Sequence, residues 1–149
     1  MSTIVTRAGK GSPLTHTELD ANFTNLNTDK TGYITGQGGT VTQATNKSTA
    51  VGGVGAPFTG QVNPLCGRIT MNSAQLNAGT LVSFTLNSTA IAANDLIFLT
   101  HISGGTIGAY TLNAAAAAGS ATINVRNITS SPLSDAIVIG FAVIKAAIA

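Results

Sequence analysis

The side chains able to do chemistry are few and far apart in this chain. There are two histidines, His16 and His101, one cysteine, Cys66, and five carboxylates: Glu18, Asp20, Asp29, Asp95 and Asp135. His101 stands near Ser103 and Asp95, which invites a Ser–His–Asp reading. No serine sits in the G-x-S-x-G elbow that exposes a nucleophile above a strand. Glycoside cleavage needs two carboxylates ~5–9.5 Å apart. Glu18 and Asp20 fall on different faces of a helix, and Asp95 and Asp135 each open a strand, where Asp commonly serves a turn. GQGG at 36–39 and GGVG at 52–55 are glycine-rich but lack the GxxxxGK[ST] spacing of a phosphate loop. A lone cysteine and two distant histidines make no zinc set. No catalytic residue, cofactor site or metal site is expected, and the chain is read as a non-enzyme.

The elements that would have to position such groups speak instead of building material. Only 8% of the 149 residues are charged, against a usual ~25%. Seventeen are glycine and none is tryptophan. A surface of hydroxyls and amides can pack against neighbours with few charges to desolvate. The net charge is +2, and the seven basic residues are dispersed apart from Arg7 and Lys10. A nucleic-acid binder concentrates its basic residues on one face, so nucleic acid is not an expected partner. The longest apolar run, AIVIGFAVI at 136–144, is far shorter than the ~20 residues of a membrane helix. No secretory signal follows Met1, and no membrane partner is expected.

Residues 12–28, SPLTHTELDANFTNLNT, carry a complete helix start. Thr15 is placed as the N-cap, with Glu18 three residues on to close a capping box. Leu14 precedes the cap and can staple onto Leu19. Leu19, Phe23 and Leu26 recur at i, i+4 and i+7 as one narrow apolar stripe. A helix this short is marginal alone, so Leu14, Leu19, Phe23 and Leu26 are the expected anchor to a partner surface.

Three segments follow from the pattern: a lead-in and anchor helix over 1–30, a Gly/Thr-rich extended arm over 31–66, and an antiparallel β domain over 67–149. Within the arm, YITGQGGTVTQAT partly alternates around Val41, as an edge strand does. From residue 67 the spacing predicts strands at Arg68–Asn72, Thr80–Leu86, Asp95–Ile102, Ala109–Ala115, Ala121–Ile128 and Asp135–Lys145. They recur about every 12 residues between turn signals, the rhythm of a sandwich or barrel. The alanines at 114–118 favour helix by propensity, but strand-like flanks predict a hairpin there. LIFL at 96–99 and AIVIGFAVI are apolar on both faces, and an antiparallel strand normally keeps one face wet. The last strand, through Ile137, Ile139, Phe141 and Val143, is therefore expected at a subunit interface; the alternative is a central strand of a closed sandwich with the helix on its back. The fold expectation is mainly β: a jelly-roll-like antiparallel sandwich behind a helix and an arm, assembled as a homotrimer.

RAGKGSPLTHTELDANFTNLN at 7–27 resembles the N-terminal segment of many tailed-bacteriophage virion proteins, among them tail fibres and small head-decoration proteins. The stretches at 67–112 and 121–146 are also similar to phage structural proteins of this type. The resemblance implies a virion protein, commonly trimeric. It implies a capsid-surface location after synthesis in the bacterial cytoplasm, with partners in its own copies and the major capsid protein. The function expected is to decorate or cement the capsid, or to form a short head fibre. The alternative it allows is a tail-fibre or baseplate-associated part that binds tail or baseplate proteins or a host surface glycan.

Overall fold

The computed structural model describes residues 11–22, 38–53, 57–60 and 63–146. The chain divides into two compact units, Met1–Gly36 and Gln37–Ala149.

In the first unit a helix, α1, runs over residues 16–22. Its start is the predicted capping box. The Thr15 backbone N–H donates to Glu18 Oε2 at 2.8 Å, and the Glu18 N–H donates back to Thr15 Oγ1 at 3.2 Å. Two of the orphan donors of a helix start are thereby satisfied reciprocally. Phe23 and Leu26 lie outside the described residues.

The second unit is built from seven strands: β1 (Gly39–Thr42), β2 (Cys66–Thr70), β3 (Leu81–Asn87), β4 (Leu96–Ser103), β5 (Tyr110–Ala117), β6 (Ser120–Asn127) and β7 (Val138–Ile144). They form a four-stranded sheet in the order β1-β2-β7-β4 and a three-stranded sheet in the order β3-β6-β5. Every pair is antiparallel except the parallel β1–β2 edge. A jelly roll has eight strands in two Greek keys; the described residues contain seven, divided four and three. The two sheets share one core. Ile69, Ile139 and Phe141 come from the four-stranded sheet and Phe84, Ile123 and Val125 from the other, all at 0–4% exposure.

All six strands predicted from residue 67 onward are present, with ends shifted by one to three residues. The alanines lie in β5 and the hairpin that follows it, so tertiary pairing overrides their helical propensity. The hairpin turns at Gly119, whose φ of 79° lies in the left-handed region where a Cβ would be strained.

The arm expected over 31–66 is not separate from the domain. From Gly39 onward it supplies β1, which pairs with β2 in register Gly39↔Gly67 to Thr42↔Thr70. Val51 then bridges to Leu86 of β3 in the opposite sheet and is fully buried. Phe58 tucks beneath β1 onto Phe141, ring centroids 5.6 Å apart. Sparse apolar residues cannot build a core alone, but three of them complete one that the strands leave open. Gln43 fixes the crossing. Its Nε2 donates to Lys47 O and Thr49 O, and its Oε1 accepts from the Asn72 N–H.

The interface expected at Ile137, Ile139, Phe141 and Val143 is corrected. All four are buried inside the sandwich, at 1%, 0%, 4% and 9% exposure. β7 is an interior strand of its sheet, between β2 and β4, and turns these side chains onto the opposite sheet. The apolar surface left open lies on the other face of the same strand.

Candidate functional site

That open face is set by what stands opposite each residue. In β4, burial alternates: Leu96, Phe98, Thr100 and Ile102 point outward, and Ile97, Leu99 and His101 inward. Partners in an antiparallel ladder share a face. Leu96 pairs with Ile144, Phe98 with Ala142 and Thr100 with Gly140. On the other side of β7, Cys66 pairs with Ala142 and Arg68 with Gly140. Outward positions on β7 are thus small where its neighbours are large, and a groove runs along it.

The groove encloses about 410 Å³ and is walled by Phe98 and Ile102 on β4 and by Thr40 and Arg68 on β1 and β2. Gly140 and Ala142 form the floor. Ile102 leans over Gly140: a Cβ there would come within 2.7 Å of Ile102 Cδ1, so a side chain at this position would push Ile102 aside. The ladder with β7 shifts register between His101 and Ser103, the residues either side of Ile102. Phe98 and Leu96 are each 62% exposed, Ile144 55% and Ile102 40%. Clustered exposed apolar groups on one sheet face mark an interaction surface better than scattered ones do. Fully burying a Phe side chain is worth about 1.5–3 kcal/mol, so covering this face offers a partner real free energy.

Among the outward positions of this sheet Arg68 carries the only charge. Its guanidinium makes no hydrogen bond or ion pair with a described residue. Cys66, half-buried, also borders the groove.

The opposite outer face has another chemistry. β3, β6 and β5 present Ser83, Asn124 and Asn113 side by side, in register. Ser83 Oγ donates to Asn124 Oδ1 at 2.6 Å, and Asn124 Nδ2 donates to Asn113 Oδ1 at 2.7 Å. Thr85 and Thr122 are the next cross-strand pair. The centre of this face satisfies itself with hydroxyls and amides; at one end Leu81, 56% exposed, stands opposite Arg126.

The residues first considered for chemistry do not converge. Asp95 opens β4 and is tied there: its carboxylate accepts the Ala92 N–H at 2.7 Å and pairs with Lys145. Those contacts, the Ala92 bond first, hold its carboxyl below the usual value. His101 lies six residues along the same strand. It is half-buried. Its Nε2 donates to the Ser103 and Gly104 carbonyls, and its ring stands edge-on to Tyr110. Asp135 accepts from the Tyr110 hydroxyl at 2.9 Å. Burial, then that hydrogen bond, raises the Tyr110 hydroxyl well above its ordinary range. Lys47, buried at 4% exposure, donates to the carbonyls of Asn72 and Asp135; burial lowers its pKa while Asp135 opposes the change. These groups fasten loops. No cluster of three or more potential metal ligands occurs among the described residues.

Of the expected anchor residues, Leu14 is half-buried and Leu19 is 43% exposed. The groove residues were missed in sequence because β4 reads as uniformly apolar. The one clue was LIFL itself, a run with more apolar side chains than one face can hide. No helix of the described residues is long and apolar enough to cross a membrane. Comparison of the chain with protein-family models, curated proteins and solved structures finds no match.

Proposed function

We propose that this chain is a non-enzymatic structural protein of a tailed-phage virion, a homotrimer that decorates and cements the capsid surface or forms a short head fibre. The observation that carries the reading is the contrast between the two outer faces of the β unit. One is an apolar groove with Phe98, Leu96 and Ile144 exposed; the other is a self-satisfied ladder of Ser, Asn and Thr. A protein with one face to bury and one to keep wet is suited to lying on a larger assembly. The likeness of residues 7–27 to phage virion N-termini supplies the kind of assembly. In this reading the helix, through Leu14, Leu19, Phe23 and Leu26, is a second anchor onto coat-protein neighbours, and the polar face looks outward.

Nanogold labelling of the protein on intact virions, viewed by electron microscopy, tests the location. Label over the head is the expected result. Label confined to the tail would overturn capsid decoration and turn the reading to a tail or baseplate part. Sedimentation equilibrium at micromolar concentration is expected to return a trimer mass, and a monodisperse monomer would remove that part of the proposal. Removal of residues 1–30 is expected to weaken binding to shells that lack the protein; unchanged binding would exclude the helix as an anchor.

A further inference from the structure

We infer that the groove along β7 receives a polypeptide segment of another protein in which a large apolar side chain sits next to a carboxylate. The inference rests on the assembly reading above and names what the apolar face recognises. Two features define the occupant. The floor at Gly140 and Ala142 is low and lies between Phe98 and Ile102 on one side and Arg68 on the other, so an inserted side chain meets apolar surface on its floor and one wall. Arg68 is the only charge at the outward positions of the sheet, is exposed, and has no partner among the described residues. A guanidinium beside a desolvated apolar contact pairs best with a carboxylate, which it can hold through two parallel hydrogen bonds.

The same features weigh against other occupants. A glycan must exchange its hydroxyl hydration for protein hydrogen bonds, and unpaired groups cost free energy on burial. Besides the Arg68 guanidinium, the lining offers only the hydroxyls of Thr40 and Thr100, and the rest of it is glycine, Ala142, Ile102, two phenylalanines and Cys66. A second copy laid face to face would bring one Arg68 toward another with no carboxylate at the outward positions of either sheet. An acidic, apolar segment leaves neither problem.

The test is selection of a random-peptide display library on the full-length protein, with Phe98→Ser and Arg68→Glu as variants. Both positions are exposed, and unchanged far-ultraviolet dichroism and melting are the check that the fold is kept. Selected clones are expected to pair Leu, Ile, Phe or Met with Asp or Glu. Phe98→Ser is expected to weaken a selected clone by tenfold or more. Arg68→Glu is expected to turn the selected charge to Lys or Arg, because charge complementarity at such a site sets specificity. An absence of enrichment, or clones indifferent to both variants, would overturn the inference. So would glycan-array binding lost in Phe98→Ser, or a loss of self-association in either variant, since a glycan or a second copy would then hold the groove. If Phe98→Ser detaches the protein from shells while no acidic motif emerges, the inference fails and the assembly reading stands. If the motif emerges but labelling finds no virion, the assembly reading fails and the groove's specificity stands.

Discussion

Tyr110 illustrates how the ionisable residues of this protein hold structure in place. Its hydroxyl is buried against Asp135, whose backbone carbonyl also receives Lys47. The Tyr110 pKa is raised above its ordinary 10.0 by burial and then by the bond to Asp135. A group raised on folding contributes stability that is whole below its unfolded value and is lost as the pH climbs through the folded one. Tyr110→Phe is therefore expected to cost about 1 kcal/mol at pH 7, as for a hydrogen bond lost beside a carboxylate. The difference from the parent should shrink as the pH rises above 10. Lys47 runs the other way, since burial lowers its pKa from 10.5 and its cost fades in alkali. Comparing parent and variant at each pH by chemical denaturation cancels that trend. Asp95 gives the acid-side counterpart. Its pKa is depressed below 3.8, first by the Ala92 N–H and then by Lys145, so its contribution is present above that value and is lost as the pH falls through the lower folded one. Asp95→Asn should lower the thermal midpoint at pH 7, and the gap should close below pH 3.8; a gap independent of pH would show that Asp95 acts through packing alone.

Elements are where local sequence spoke most clearly. The alternation within Thr80–Leu86 and Ala121–Ile128 reads directly as two strands, and the structure pairs β3 with β6 from Leu81↔Arg126 to Asn87↔Ser120. The Thr15–Glu18 capping box forms as spaced. Thr15→Ala is expected to cost about 1 kcal/mol of helix stability, seen as lost helical dichroism without a change in the main unfolding transition. β1 was legible only as a faint alternation about Val41, because its burial depends on elements distant in sequence. Its tight seam with β2 yields a sharper expectation. A Cβ at Gly67 would fall 2.3 Å from the Gly39 carbonyl oxygen and 2.9 Å from the Phe141 ring. Backbone cannot step aside as a flexible side chain does, so Gly67→Ala should destabilise by roughly 2 kcal/mol or more, measured by urea unfolding. A cost under 0.5 kcal/mol would mean that β1 shifts freely at this edge.

At the scale of the whole molecule the two outer faces differ in kind, and the exposed apolar one governs behaviour in solution. Replacing Phe98 and Ile102 together by Ser removes two exposed apolar side chains from a face that packs no core. The double variant should unfold within about 0.5 kcal/mol of the parent, yet remain in solution at higher ammonium sulfate. A large loss of stability would show that this face already supports the core. The same scale explains the misplaced interface. An excess of apolar residues in 136–144 signalled apolar side chains on both faces, but Ile139 and Phe141 face the partner sheet while Gly140 and Ala142 face outward. Alternation cannot say which set is which when both are apolar.

The chain by itself determined its strands from residue 67 onward, the turns between them and the helix start, because these follow from side-chain type and short-range spacing. It also determined that β4 and β7 hold more apolar surface than one face can bury. Only the tertiary structure decided which face of β7 meets the other sheet, that Val41, Val51 and Phe58 belong to the core, and that Phe98, Ile102 and Arg68 flank one groove. Those outcomes depend on strand order and register between residues far apart in the chain, where the free energy of a contact is set by what is brought opposite it.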